Sequence, residues 1–547
     1  MNFDPHYLPY PSRRQLLFAG KGAVATSQPL AAQIGLDVMK RGGNAMDAAV
    51  ACAAAMTVLE PCSNGIGGDA FAILWSAREH RLRGLNASGF APALLSEENI
   101  RARGFDAMPQ YGLVPITVPG IPSAWAAMAE QYGTLPLAEL VEGAAKLAEE
   151  GFPVSPTTAR YWGESEEVYH RAQQAATDRG DAGASAFRYW FDVFAPGGKC
   201  PKAGELFRIK AHAETLREIG RTGAESFYRG AIAGDIDTFM KREGGFLRFE
   251  DLAAFYPEWV DPISVNYRGY DIWEIPPNGQ GLVALMGLNI LENFDFPFGK
   301  DHPDTYHKQI EALKLAFADG HEYIGDPRSV NVDLAALLSK DYARNRAVLI
   351  GETALEPEPG RLAKSGTVYL CAVDPEGNMV SWIQSNYNGF GSGIVLPERG
   401  IAFQNRGYGF TLDRNSVKYV TPGKRPFHTI IPGFITRDGQ PLGPFGIMGG
   451  PMQPQAHLQA VSSLIDFNLN PQAALDAPRW LWDEGKRILL EPEFPYPLAE
   501  ALRRRGHDIQ YSDSDGPFGR GQLILRMPNG VYAAGTEKRT DGYVALW

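Results

Sequence analysis

Along this chain the spacing of apolar residues switches repeatedly between a helical and a strand period, and the switches mark the elements. From Pro29 the run PLAAQIGLDVMKRGG repeats apolar residues at helical spacing and then meets Gly42 and Gly43, where left-handed backbone costs little, so a helix is predicted to stop there. Residues Ala45 to Leu59 predict a second helix, apolar almost all round. A helix with no polar face is buried, so the pair is expected to pack between other layers. Pro61 to Asp69 (PCSNGIGGD) reads as a glycine-rich loop leading into the strand-like AFAILW. The middle, from about Trp125 to Leu338, alternates helical stretches such as LVEGAAKLAEEG and HKQIEALKLAFADG with loops rich in Pro and aromatics, and offers no catalytic motif. Strand alternation returns in SGTVYLCAV and MVSWIQS, which flank the turn DPEGN and predict a β-hairpin beginning at Thr367. Two more glycine-rich stretches follow, NGFGSG at 388–393 and FGIMGGP at 445–451.

With 547 residues and 44% apolar composition the chain can bury a large core. Helical and strand signals interleave without a low-complexity linker or a fixed-period repeat, so one large α/β body is expected. The net charge of −11, with no basic stripe, argues against nucleic acid and acidic membrane surfaces as partners. No apolar span reaches membrane-crossing length, and the LLFA run near the amino terminus is too short for the core of a secretion signal. Cys52, Cys62, Cys200 and Cys371 lack CxxC spacing, so neither a metal centre nor a disulfide framework is indicated, and a reduced, cytoplasmic enzyme is expected.

The hairpin start is where chemistry enters. A hydroxyl is a poor nucleophile near neutral pH unless a base takes its proton, and a Thr at a chain N-terminus carries such a base in its own α-amine. An internal Thr can gain that amine if its hydroxyl attacks the preceding carbonyl and cuts the chain. Ser365-Gly366-Thr367 suits this, because Gly366 allows the strained backbone the attack needs. Spacing alone leaves the alternative that Thr367 merely favours the pleat.

The chain resembles the γ-glutamyltranspeptidase family over nearly its whole length. The resemblance is carried by GKGAVATSQPLAAQIGLDVMKRGGNAMDAAVA, VPGIPSAWAAMAEQYGTLPL, the TVYLCAVDPEGNMVSW hairpin, FGSGIV, PGKRPFHTIIP and the paired glycines of IMGGP. It implies an N-terminal-nucleophile hydrolase, an αββα sandwich cut between Gly366 and Thr367 into a large subunit, 1–366, and a small one, 367–547. Thr367 is then the autoprocessing residue and the nucleophile. Ser385 supplies the hydroxyl beside its amine, where relatives often have Thr, and the backbone N–H groups of Gly449 and Gly450 hold the tetrahedral oxyanion. No cofactor or metal is implied.

Substrate-binding positions of the family are replaced here. The family's Arg for a substrate carboxylate reads Ser88, its Ser pair reads His428-Thr429, its Asn reads Tyr387, and two further ammonium contacts read Arg406 and Gly409. Arg406 would repel a free α-ammonium and suits a carboxylate, so a smaller, anion-reading pocket is expected. The connection from Phe410 to Lys424 is too short for the lid that covers the site in many relatives. These departures resemble the branch that includes oxamate amidohydrolase and cephalosporin acylases. The reading is therefore an amidohydrolase acting on a small carboxylate amide, oxamate first. The rivals are a γ-glutamyl hydrolase or transpeptidase, a glutaryl or cephalosporin acylase, and an unprocessed, inactive scaffold. Association of the processed heterodimer into a homo-oligomer stays open.

Overall fold

The two predicted helices form where the pattern puts them, α1 at Pro29–Lys40 and α2 at Ala45–Leu59. Asn44 caps α2: its side chain accepts from the N–H groups of Met46 and Asp47, while the Asp47 carboxylate accepts from Asn44 N–H at 2.9 Å. Every residue of α2 is buried. The structure is a computed structural model that describes residues 3, 4, 7–12, 14–357 and 366–547. Ser365, at the predicted cleavage motif, lies outside them.

The strands that build the molecule are β1 (Leu17–Ala19), β2 (Ala23–Thr26), β3 (Asp69–Ser76), β4 (Arg81–Ala87), β5 (Glu258–Val260), β6 (Ile263–Tyr267) and β7 (Tyr270–Glu274). After the predicted cleavage position come β8 (Gly366–Val373), β9 (Met379–Tyr387), β10 (Gly433–Arg437), β11 (Gln440–Met448), β12 (Arg520–Arg526), β13 (Tyr532–Thr536) and β14 (Tyr543–Leu546). One seven-stranded sheet has the order β14-β2-β8-β9-β3-β4-β5, the other β1-β13-β12-β11-β10-β7-β6. Both sheets take strands from either side of Gly366, so a cut there breaks no sheet. Strands β5 to β7 lie in the middle region, where only helices and loops were expected; they are three to five residues long, too short to declare a period.

Helices cover the outer faces. Beyond α1 and α2 lie α3 (Leu137–Glu150) and α4 (Lys210–Thr222), so α2 packs between the first sheet and α3, as its all-apolar surface requires. The second sheet is covered by α5 (Gly281–Leu291), α6 (Pro303–Tyr323) and α7 (Met452–Ile465). Between the sheets, Phe71, Ile73, Tyr369, Cys371 and Ile383 meet Ile430, Phe434 and Ile524 in a third core. The layers are therefore αββα. Among the described residues no helix is long and apolar enough to cross a membrane.

Candidate active site

The hairpin register explains how Thr367 is displayed. β8 and β9 pair antiparallel from Val368↔Gln384 to Val373↔Met379, while Gly366 pairs with Tyr387, and the register shifts between Gly366 and Val368. The irregularity falls on Thr367, and an irregularity of this kind re-aims a side chain at a strand end. Thr367 is fully buried, and its Oγ1 donates to Ser385 Oγ at 3.1 Å. Ser385 Oγ also accepts from the Tyr387 N–H at 2.8 Å and lies 3.4 Å from Arg406 Nη2. The predicted hydroxyl therefore stands beside the predicted nucleophile.

Tyr387 is held with φ +79°, a left-handed conformation that an aromatic residue rarely adopts and that costs about 1–3 kcal/mol. That backbone aims its N–H at Ser385 while its ring lies over Arg406, 4.1 Å from the guanidinium carbon. Arg406 has no exposed surface; its Nη1 donates to Thr429 Oγ1 at 2.7 Å, and its Nε has no partner among the described residues. Burial pulls Arg406 down to about 10, so it remains cationic at neutral pH.

From Thr429 the chain of polar contacts continues. Gln280 Nε2 donates to the Thr429 carbonyl at 2.5 Å and to the Gly450 carbonyl at 2.8 Å. Gly449 and Gly450, between β11 and α7, have φ of +137° and +61°. A side chain at either would be strained, which is the physical demand the paired glycines answer. The nucleophile candidate on one sheet and the glycine pair at the end of the other are thus joined through Ser385, Arg406, Thr429 and Gln280.

Behind Arg406 lies a pair that sequence reasoning only half found. His428 Nε2 is 3.0 Å from Asp69 Oδ2, and both side chains are fully buried. The Ile430 N–H approaches His428 Nδ1 at 3.4 Å, which leaves the proton on Nε2, facing Asp69. Burial, followed by the charges of Arg406 and Arg425, keeps His428 neutral. Asp69 Oδ1 accepts from the Gly89 N–H and from Gln404 Nε2, each at 3.0 Å. Burial nevertheless pushes Asp69 up to about 7, against the opposing pull of Arg406. Asp69 was read only as the end of a glycine-rich loop; an acid opening an otherwise apolar strand was the signal available. Gln280 gave none, and it comes from the middle region in which no motif was seen.

Beyond this floor a cleft of about 810 Å³ opens, with Tyr387, Thr429, Gly409, Gln280 and Pro451 on its inner wall. This is roomier than the small pocket expected, and it lies in the size range of sites that hold drug-sized ligands. Of the predicted binding residues, Tyr387 and Thr429 line the cleft, whereas Arg406 lies beneath the Tyr387 ring and His428 faces Asp69 and the edge of Phe71. Ser88 is buried and accepts from Asn278 Nδ2 at 2.9 Å. The connection after Phe410 forms part of the cleft wall.

An αββα sandwich with a buried threonine at the head of a central hairpin defines the class of self-cleaving N-terminal-nucleophile hydrolases. Comparison with known proteins agrees: the gamma-glutamyltranspeptidase family model matches residues 31–547, and the chain belongs to that family. It is 35% identical to a glutathione hydrolase-like proenzyme, YwrD, of Bacillus subtilis (strain 168), over 95% of this chain and 98% of that one. It is 33% identical to an oxamate amidohydrolase proenzyme of Klebsiella pneumoniae subsp. pneumoniae, over 96% and 98%. The crystal structure of a cephalosporin acylase from Bacillus halodurans superposes with a TM-score of 0.93 at 56% identity, covering 100% of this chain and 99% of that one.

Proposed function

We propose that this protein hydrolyses the amide of a small carboxylate-bearing substrate, with Thr367 as nucleophile, and that oxamate is its best single candidate. In the precursor, Thr367 Oγ1 attacks the Gly366 carbonyl, the peptide bond breaks as an ester forms, and water releases residues 1–366 and a free Thr367 amine. That amine then accepts the Oγ1 proton as Oγ1 attacks a substrate amide carbonyl; the N–H groups of Gly449 and Gly450 hold the oxyanion, the amine leaves with a proton, and water frees the acid. Ser385, on the nucleophile's hydroxyl, orients it.

The observation that carries the substrate class is Arg406, a buried cation with Nη2 3.4 Å from the Ser385 hydroxyl that itself bonds Thr367. A carboxylate near the scissile carbonyl meets an attractive charge there, whereas the free α-ammonium of a γ-glutamyl group meets a repulsive one. The test is ammonia release from oxamate by the processed protein, set against nitroaniline release from a γ-glutamyl anilide with and without a dipeptide acceptor. Acceptor-stimulated release from the anilide, with none from oxamate, overturns the proposal. A second reading, an acylase for a longer glutaryl-type chain or a bulky leaving group, is favoured by the cleft of about 810 Å³ and is separated by comparing rates on glutaryl and oxamyl amides. Four free cysteines, three of them buried, support a reducing, cytoplasmic setting.

A further inference from the structure

The cleft has a second end that the reaction at Thr367 does not use. Lys418, His321 and Phe427 form part of its outer wall. The turn bearing Lys418 is pinned by its backbone: the Thr411 N–H donates to the Lys418 carbonyl at 3.0 Å, and the Val420 N–H to the Thr411 carbonyl at 3.0 Å. Lys418 N–H donates to Ser416 Oγ at 3.1 Å. The ammonium itself donates to His321 Nδ1 at 3.0 Å and lies 4.4 Å from the centre of the Phe427 ring.

What this cation lacks is a counter-charge. Among the described residues no carboxylate lies within ion-pair distance of Lys418, although the cleft lining contains two acids. Asp106 approaches Arg101 at 3.5 Å, and Asp413 Oδ1 accepts from the Asn415 N–H at 3.0 Å. Because His321 accepts through Nδ1, its proton stays on Nε2, which is buried with no partner. Burial pushes His321 down to about 3 and Lys418 down to about 8, so at neutral pH the pair carries one positive charge, on Lys418. A partly buried ammonium fixed by a histidine lone pair over an aromatic face, beside an open cleft, is a preorganised anion receptor.

We propose that the outer end of the cleft is a second anion subsite, with Lys418 as its cation and Phe427 as its apolar floor, which takes a carboxylate carried by the substrate away from the scissile amide. That carboxylate can sit on the acyl chain or on the leaving amine. The inference rests on the reading of this cleft as the site of amide hydrolysis, and it deepens that reading to substrates with a distal acid.

Calorimetric binding of glutarate and of 3-aminobenzoate to the processed protein tests it without turnover, with butyrate and aniline as probes that lack the distal carboxylate. Wild type is expected to bind at least one of the two acids, and Lys418→Met to weaken that binding about tenfold, the scale of a lost charged hydrogen bond. Lys418→Arg should restore it to within about threefold, and butyrate and aniline should change less than about twofold. The acid that responds identifies the acyl chain or the leaving amine as the carrier. Self-cleavage, unchanged in both variants, reports that they fold. The proposal is overturned if wild type binds neither acid, if Lys418→Met binds both as wild type does, or if Lys418→Arg falls as far as Lys418→Met. In matched kinetics, Lys418→Met should raise KM for glutaryl-p-nitroanilide or for the butyryl amide of 3-aminobenzoate about tenfold, with kcat nearly constant. Acids that bind through Lys418 while no amide is turned over would keep the subsite and remove the proposed reaction.

Discussion

At the inner end of the cleft Arg406, Asp69, His428 and Ser385 are withdrawn from water, and each is fixed by hydrogen bonds from separate elements. At the outer end Lys418 is held by one histidine and one ring, and Arg101 and Asp413 stand at the surface. The inner groups cannot move without leaving a buried polar atom unanswered, which costs about 1–3 kcal/mol each, so in the proposed reaction they would serve as a rigid template for one reacting geometry. The outer groups carry fewer such constraints: the Lys418 ammonium has His321 as its one hydrogen-bonding side chain among the described residues. Changes at the inner end should therefore alter self-cleavage, turnover or binding beside the nucleophile, and changes at the outer end should alter selectivity alone.

The largest effect expected is from Thr367→Ala, which removes the hydroxyl needed for both steps; mass spectrometry should find one uncut chain of 59.8 kDa, and assays no turnover. Gly450→Ala, placed at φ +61°, should lower kcat about 100-fold by displacing an oxyanion donor worth roughly 3 kcal/mol, readable once processing is complete. Arg406→Ala should raise KM for an anionic amide about tenfold and spare self-cleavage, as loss of a buried positive charge beneath the cleft floor implies. If processing fails too, the guanidinium serves the fold and the inner end is not a carboxylate reader. The smallest effect is electrostatic. Asp69, pushed up to about 7, is protonated below that pH and charged above it. Rising pH therefore places an anion behind Arg406, and KM for an anionic substrate should climb a few-fold through pH 7. Asp69→Asn should flatten that rise and leave KM at its low-pH value.

Legibility in the sequence follows the same division. α1, α2 and the β8–β9 hairpin were readable because each is long enough to show its period, and Gly42 and the DPEGN turn announce their ends. The position of Thr367 followed once the hairpin was placed, whereas Ser385, Gly449 and Gly450, and the roles of all four, came from resemblance. The Asp69–His428 pair joins residues 359 apart in the chain, a juxtaposition no local pattern encodes. Tyr387 was placed, but its left-handed backbone was not foreseeable, since an aromatic residue there runs against propensity. The connection after Phe410 was read for its length as a missing lid. Its contribution to the wall, and Lys418 on it, depended on packing against α6 and Phe427.

The central claim is that Thr367 becomes the N-terminus and then the nucleophile. Intact mass spectrometry of the purified protein, with N-terminal sequencing of the smaller fragment, tests it most directly. The account predicts a fragment beginning Thr367-Val368-Tyr369, with activity that appears as it accumulates. A folded chain that stays uncut yet hydrolyses amides, or a fragment that begins at another residue, would contradict it.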